Sequence, residues 1–388
     1  MSAVRRSRAT SLPPPEVDGL LLTLLFALVG TGFVVVASAS MELAEIRYGD
    51  RWHHVVRHAL YLLVALLGGA FVLSIPTRLW RALALPGYVL VVLLLGAVLL
   101  PGIGREVNGA QRWFAVGPVS FQPSVAAKVL LLFWLAAHLD RHADALRGAF
   151  LPAARPLAML LLPAVLLLAE PDLGTTVVLF GAAAGLLLLA GARLRDLTVL
   201  GALASLALGA LILTQPYRME RMRAFLDPWA VQYDGGYQLT QALIAFGRGE
   251  WFGVGLGEGL QKLFYLPEAH TDFIYAVVAE ELGAVAALLL ALAFALLVLR
   301  GLTHGRIAEL RGDRFAAFLA YGASLLLGVQ ALVSLGVNTG VLPTKGLTLP
   351  LVSYGGNALI ASCALVAVVL RVAWENAVAG ATPRRLAA

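Results

Sequence analysis

The sequence predicts an all-α polytopic membrane protein with about ten transmembrane helices, one long extracytoplasmic loop and both termini in the cytoplasm. Of its 388 residues, 60% are hydrophobic and only 13% are charged, whereas soluble domains are about 45–50% apolar. The mean hydropathy is +0.84. Apolar segments of about 20 residues, the length that crosses a bilayer core of about 30 Å, recur along the chain between short loops that contain arginine.

Ten apolar segments account for the predicted helices in chain order. The first follows an arginine-rich start and resembles a signal peptide, but its near-spanning length and the nine segments after it favour a retained first helix. The fifth is short, and only Glu170-Pro171-Asp172 separates it from the sixth. The predicted domains are a tail at 1–18, one transmembrane domain at 19–375 and a tail at 376–388. The segments are 19–39, 57–75, 84–101, 120–138, 156–170, 173–191, 197–214, 273–299, 315–338 and 353–375.

The basic residues in the loops predict the orientation of the helices. Cytoplasmic loops carry an excess of Lys and Arg, and every second loop of this chain shows that excess when the N-terminus is placed inside. The arginines of these loops and of the C-terminal tail are Arg78, Arg81, Arg141, Arg147, Arg155, Arg193, Arg195, Arg300, Arg306, Arg311, Arg314, Arg371, Arg384 and Arg385. A net charge of +6 therefore indicates membrane orientation rather than nucleic-acid binding.

The longest loop, at about 215–272, lies outside in this topology. It is rich in aromatic residues, which disordered linkers lack, so we expect short amphipathic or re-entrant helices on the outer face. Its glycines fail the spacing of a dinucleotide-binding fingerprint and indicate turns. The single cysteine, Cys363, excludes an intrachain disulfide and a cysteine-based metal site.

Three ionisable residues fall within or at the start of the predicted helices near this loop. Asp272 stands where the eighth segment enters the bilayer, and Glu280 and Glu281 follow two turns later. A charge inside a membrane costs about 2.5–3.5 kcal/mol on insertion scales, so such residues are functional-site candidates. Lys128, inside the fourth segment, requires a partner for the same reason.

Polar and glycine-rich motifs gather on the predicted outer face, which a passive scaffold does not need. The four motifs are residues 108–113 with 122–124, residues 170–176, residues 237–248 leading to Asp272, and residues 338–346 with 353–356. The most distinctive parts of this pattern are two runs: LPEAHTDFI followed by EELG, and LPTKGLTLPLVSYGG.

These motifs resemble those of the SEDS family, the membrane glycosyltransferases of shape, elongation, division and sporulation, over nearly the whole chain. The run QLTQALIAFGRGE is more similar to the division members than to the elongation members. The resemblance implies ten transmembrane helices and polymerisation of lipid II into peptidoglycan on the outer face of the cytoplasmic (inner) membrane, with enrichment at the division septum. It also implies a class B penicillin-binding protein and other division proteins as partners.

Asp272 matches the essential acid of that family. An acceptor hydroxyl must lose a proton as it attacks the donor sugar, and a positioned carboxylate can serve as the base. The residues alone leave base and helix N-cap equally open, because Asp also favours the N-cap; the resemblance favours the base, and one residue could do both.

The leaving pyrophosphate needs cations, and we expect Arg112, Arg248, Lys262 and Lys345 to supply them. We also expect Gln111, His270 and Ser353 to contact substrate. No metal-ligand set is predicted and the sequence indicates no definite cofactor, although Mg²⁺ or Mn²⁺ could share the neutralisation of the phosphates.

Lys128, Glu280 and Glu281 are predicted to be structural intramembrane charges. In the family this lysine follows a Glu three residues earlier, where this chain has Val125, so we expect Glu280 or Glu281 to be its partner. His53, His54 and His58 are predicted to lie at the membrane interface rather than to bind a metal.

Two other functions are compatible with this pattern. A lipid II flippase would use the intramembrane charges to line a path for the head group, but such a path needs polar residues at every depth, and the inner halves of most helices are apolar. A non-catalytic division scaffold would leave Asp272 dispensable.

Overall fold

The computed structural model describes residues 17–107, 109–117, 119–146, 148–213, 216–344 and 346–386. Asn108, Arg147, Lys345 and residues 1–16 therefore lie outside the described part. The described residues form twelve α-helices and three short strands. The helices are α1 (Gly19–Tyr48), α2 (His53–Ser74), α3 (Thr77–Val98), α4 (Pro123–Leu146), α5 (Phe150–Ala169), α6 (Leu173–Leu189), α7 (Leu194–Leu213), α8 (Pro216–Leu226), α9 (Tyr237–Gly249), α10 (Ile274–Leu310), α11 (Arg314–Asn338) and α12 (Gly356–Leu386).

Each of the ten predicted segments lies on an apolar helix, which confirms the polytopic fold. In the described residues, nine helices are long and apolar enough to cross a bilayer, and α6, with 17 residues, is the shorter tenth. At about 1.5 Å per residue, the 37 residues of α10 exceed the thickness of a bilayer core. The predicted segment 273–299 thus covers only the spanning part of a longer helix.

Small residues let the central helices approach one another closely. The most buried spans are α4, α11 and α12, whereas α7 is almost entirely exposed at the periphery. A Cβ added at Gly322 would lie 2.1 Å from Leu132, and one added at Gly305 would lie 2.4 Å from Tyr321. Helix association in membranes relies on such close contacts because lipid removes the hydrophobic driving force.

A three-stranded antiparallel sheet occupies the outer connection between α3 and α4. Its strands, β1 (Arg105–Val107), β2 (Ala110–Val116) and β3 (Val119–Phe121), pair in the order β1-β2-β3. The all-α prediction missed this sheet because the apolar-length criterion detects spanning helices and gives no signal for strands of three to seven residues. The sheet places Arg112 on its central strand.

The long outer loop contains α8, α9 and a short π-helical turn at Gln261–Tyr265. Leu239, Ala242 and Ala245 of α9 are buried, and this helix packs against α10 and α11. The loop is therefore anchored on the transmembrane bundle by one apolar helix face.

Helix α10 is interrupted at Gly283, and the segment after α9 fills the break. Gly283 has a φ of +84°, and a Cβ there would meet the backbone of residues 251–253 at 2.4–2.5 Å, so glycine is required. The N–H groups of Ala284 and Val285 donate to the carbonyls of Glu250 and Trp251 at 2.9 and 3.2 Å. This stretch, residues 250–265, is the re-entrant segment, and it satisfies backbone groups that the break leaves unpaired, as a bilayer demands.

Candidate functional site

Asp272 lies at the outer end of α10, in a loop that coils around one carbonyl group. The backbone N–H groups of Thr271, Asp272 and Phe273 all donate to the Glu268 carbonyl at 3.1–3.2 Å. Glu268 itself adopts a φ of +55°, and its carboxylate accepts a hydrogen bond of 2.7 Å from the Thr271 hydroxyl. This compact turn fixes the position from which Asp272 projects.

The Asp272 side chain does not cap α10. The N-cap residue is Phe273, and it makes no side-chain capping bond. Instead Asn338, the last residue of α11, accepts from the Ala276 N–H at 3.1 Å and donates to the Asp272 carbonyl at 2.9 Å. The N-cap alternative for Asp272 is therefore wrong.

The environment of Asp272 suits a proton acceptor. In the described part of the chain its carboxylate accepts no hydrogen bond. Gly346 lies next to this carboxylate, because a Cβ added at Gly346 would come within 3.1 Å of Asp272 Oδ2. Burial, and then the nearby charge of Glu268, raise the pKa of Asp272 to about 7, although Arg221 opposes the shift. A carboxyl group with this pKa is partly ionised at neutral pH, where a general base works best.

His270 belongs to an aromatic cluster beside Asp272. Its ring centroid lies 5.5 Å from that of His54 and 5.4 Å from that of Tyr354, and its carbonyl accepts the Tyr354 N–H at 3.0 Å. Burial lowers the pKa of His270, and Glu268 partly offsets this. The cluster links the loop of Asp272 to the outer end of α2.

The interfacial prediction for the α2 histidines is wrong for His54 and His58. Both are buried, and both rings face Tyr354, at 5.3 and 5.6 Å. Their spacing of four residues puts them on one face of α2, and the fold shows that the segment before α12, which contains Tyr354, covers that face. Across the described residues, no group of three or more His, Cys, Asp or Glu side chains could hold a metal.

Arg112 and Gln111 brace the outer loops. The Arg112 guanidinium donates to the carbonyls of Glu170 and Pro171 at 2.5 and 3.0 Å. The Gln111 amide donates to the carbonyls of Leu100 and Gly104 at 3.0 and 3.1 Å. Their contacts with substrate remain predictions.

Arg248 and Lys262 each bind one of the two intramembrane glutamates. Arg248 Nη1 lies 2.5 Å from Glu280 Oε1, and Lys262 Nζ lies 2.7 Å from Glu281 Oε1. Lys262 also donates to the Ser38 hydroxyl on α1 at 2.8 Å. Both cations were predicted to bind substrate phosphates, but in this structure each forms an ion pair with a buried glutamate.

The same two carboxylates fix the re-entrant segment to α10. Glu280 accepts hydrogen bonds from the N–H groups of Leu260 and Gln261, at 3.0 and 3.2 Å, and Glu281 accepts one from Gly257 at 3.1 Å. Glu280 and Glu281 are almost fully buried. These contacts agree with the structural role that the sequence predicted for the pair.

The predicted partner of Lys128 is wrong. Its ammonium group donates to Gln330 Oε1 at 2.8 Å, and the acid that interacts with it electrostatically is Asp172, whereas Glu280 and Glu281 bind Arg248 and Lys262. Gln330 in turn donates to the Thr348 carbonyl at 2.9 Å. Lys128 therefore supports the segment between α11 and α12.

The remaining predicted residues lie in that segment. The Ser353 hydroxyl is buried and accepts the Leu349 N–H at 2.8 Å, which gives it a structural contact; its contact with substrate stays a prediction. Lys345 lies outside the described residues.

Sequence reasoning placed Glu170 and Asn338 in polar motifs of the outer face but gave neither residue a role. Glu170 is fully buried, and its carboxylate oxygens find no hydrogen-bond partner among the described residues. Burial, and then Asp172, raise the pKa of Glu170 to about 8, against the effect of Arg112. The available signals were an acid in a two-helix connection of three residues and an amide at the end of an apolar helix.

Fold and site define a polytopic membrane protein with an acid–base candidate at the outer end of its bundle. The chain belongs to the cell cycle protein family of FtsW, RodA and SpoVE, whose model matches residues 19–377. It is 47% identical to a probable peptidoglycan glycosyltransferase FtsW of Hahella chejuensis over 97% of this chain and 94% of the relative. A protein of the same description from Nitrosococcus halophilus is 49% identical over 93% of each chain.

Solved structures with the same fold agree. One is described as "Structural coordination of polymerization and crosslinking by a peptidoglycan synthase complex"; it has a TM-score of 0.74 and 32% identity, and the match covers 93% of this chain and 98% of that one. The rod shape determining protein RodA of Thermus thermophilus gives a TM-score of 0.67 and 31% identity, over 93% of this chain and 97% of that one.

Proposed function

We propose that this protein is a peptidoglycan glycosyltransferase that polymerises lipid II during cell division, with Asp272 as the general base. The observation that carries the proposal is a half-buried carboxyl group at the outer end of α10, without a hydrogen-bond partner among the described residues and with its pKa raised to about 7. The description of the relatives as probable peptidoglycan glycosyltransferases FtsW supports the activity and the division role.

The chemistry follows from one ionised carboxylate. Asp272 accepts the proton of the acceptor sugar's hydroxyl as that oxygen bonds to the anomeric carbon of the donor. The bond from that carbon to the lipid pyrophosphate breaks, and the electron pair leaves with the pyrophosphate. Since this anion is a good leaving group, a second carboxyl is not needed to protonate it, in contrast to glycoside hydrolysis. Attack from the opposite face inverts the anomeric centre.

Cations near the Asp272 loop are the best candidates for holding the pyrophosphate. Arg221 interacts electrostatically with Asp272 and donates to the Thr344 carbonyl at 3.3 Å. Arg57 donates to the Tyr61 hydroxyl at 3.2 Å and interacts with Tyr354 of the aromatic cluster. We place the donor pyrophosphate near these two arginines and give Arg248 and Lys262 structural roles.

We further propose that the protein resides in the cytoplasmic membrane, is enriched at the division septum, and works with a class B penicillin-binding protein. The described resemblance to a peptidoglycan synthase complex supports such a partner.

Reconstitution tests the activity. The chain would be purified with its cognate penicillin-binding protein and given labelled lipid II in detergent, alongside an Asp272→Ala complex. We expect glycan polymer from the native complex and none from the variant. Polymer from both would refute the role of Asp272. Its absence from both, with partner bound and lipid II intact, would favour a flippase, to be tested in sealed vesicles, or a scaffold.

A further inference from the structure

The amide of Asn338 joins two helices at the candidate site. Asn338 is completely buried. Its Nδ2 group donates to the carbonyls of Asp272 and Ser334, both at 2.9 Å, and its Oδ1 accepts the Ala276 N–H at 3.1 Å. Three hydrogen bonds leave this amide well satisfied, which fixes its orientation.

The bond to Ala276 serves a need of α10. The first N–H groups of any helix lack partners within it, and the N-cap Phe273 has no side-chain oxygen to offer. The Ala276 N–H donates to the Phe273 carbonyl at 3.0 Å, and Asn338 adds a side-chain acceptor for the same N–H from the end of α11, 62 residues away in sequence. A local cap would have used the side chain at 272 or 273, so the distant cap leaves the Asp272 carboxylate available.

The bond to the Asp272 carbonyl then fixes the residue that bears the carboxylate. It holds the backbone of Asp272 on one side, while the Glu268 carbonyl accepts its N–H on the other at 3.1 Å. Among the described residues, these two are the hydrogen bonds that the Asp272 backbone makes, and the bond to Asn338 is the one that comes from another helix.

We propose that Asn338 is a positioning residue for glycosyl transfer, which caps α10 in place of Asp272 and clamps the Asp272 backbone so that the carboxylate is held at the reacting hydroxyl. This inference rests on the proposed function of Asp272. Asn338 acts through Asp272 and does not itself touch the reacting atoms.

Loss of the amide should displace the base more than it weakens substrate binding. A misplacement of about 1 Å can cost about 100-fold in rate, so Asn338→Ala should lower kcat by roughly 10- to 100-fold with KM nearly unchanged. The freed carboxyl would also become better hydrated. Because burial raises its pKa, the acid limb of the rate profile should move to lower pH.

Asn376 provides a matched control. It is also buried, and its Nδ2 donates to the His304 carbonyl at 2.9 Å, but it lies on α12 away from the Asp272 loop. Asn376→Ala should lower thermal stability to a similar degree while leaving kcat and the acid limb unchanged. Asn338→Gln keeps the amide but shifts it by one methylene, and it should lower kcat less than Asn338→Ala does. It is the test variant if Asn338→Ala does not fold.

Rates would be measured on the complex with lipid II, and backbone hydrogen exchange would be measured over residues 268–278. We expect faster exchange there in both Asn338 variants and not in Asn376→Ala. Native kcat and an unmoved acid limb in folded Asn338→Gln, with Asp272→Ala inactive, would overturn this inference alone. An active Asp272→Ala complex would instead overturn the proposed function, whatever the exchange data show.

Discussion

The loop just before α10 and a position about two turns further along the chain, within α10, carry acids with opposite surroundings. Glu280 and Glu281 each bind a cation and backbone N–H groups of the re-entrant segment. Asp272 is half-buried, and among the described residues its carboxylate meets no such partner. The carboxylates of the two deeper acids are engaged in ion pairs and hydrogen bonds. The outer acid is held through its backbone, and its carboxylate is available to a substrate.

This difference distinguishes acids with a structural role from an acid that can act as a base. Buried carboxylates that bind several donors are poor proton acceptors for a substrate, because those donors stabilise the anion and occupy its lone pairs. The Asp272 carboxylate lacks such donors among the described residues, and burial together with the charge of Glu268 raises its pKa to about 7; groups with shifted pKa values concentrate at functional sites. Intramembrane charge marks both regions in the sequence, but only the contacts show which acid remains available.

The largest expected effect comes from removing the open carboxylate. Asp272→Asn should lower the polymerisation rate by about 10²- to 10⁴-fold, the usual contribution of a general base. Asp313 is the matched control, because its Oδ1 does cap a helix, accepting the Ala316 N–H at 3.1 Å. Asp313→Ala should cost about 1 kcal/mol of stability and leave the rate intact. Equal rate losses in the two variants would remove the distinction.

The second effect tests the paired region. Glu281→Ala leaves Lys262 as a buried charge without its carboxylate, a change that typically costs about 3–5 kcal/mol. Thermal unfolding of the purified complex should therefore shift strongly. In the double variant Lys262→Met/Glu281→Leu, the unpaired charge is absent, so part of the stability should return. If the single variant melts like the native protein, the ion pair does not support the fold as argued.

The pH dependence provides a third contrast. The pKa of Asp272 is raised to about 7, above its value in the unfolded chain, so the folded state holds its proton more tightly. Stability should then fall as pH rises from about 4 to 7, while the polymerisation rate rises through the same group's ionisation. Asp272→Asn should therefore be at least as stable as the native complex at pH 8. A less stable Asn variant at that pH would contradict the burial argument.

Much of this fold could be predicted from the sequence, because a bilayer imposes a length on each apolar segment. The ten apolar helices and the location of Asp272 at a membrane boundary followed from that constraint, and the family resemblance supplied the role of Asp272. The end of α10 could not be predicted, because the bilayer thickness sets the length of the spanning part of a helix and not of the part that extends beyond the bilayer.

The missing parts were contacts between distant segments. Lys128 had two acids as candidate partners, but those acids bind Arg248 and Lys262 instead, and Lys128 donates to Gln330 on another helix. The cap that Asn338 provides and the cover that Tyr354 provides over His54 and His58 likewise depend on tertiary packing. Local sequence patterns identify the groups that need partners, but the partners themselves depend on how the helices pack.

The smallest expected effect concerns the proposed phosphate site beside the aromatic cluster. Arg57→Gln should raise KM for lipid II by roughly 3- to 10-fold, about 1 kcal/mol for one partly exposed cation, with little change in kcat because a pyrophosphate contact forms before reaction. Arg51, whose guanidinium lies 2.8 Å from Glu45, is the matched control at the same outer end, and Arg51→Gln should leave KM unchanged. An equal rise in both variants would indicate general attraction of anionic lipid. No rise in Arg57→Gln would move the pyrophosphate toward Arg221, since that arginine and Asp272 already interact across the loop.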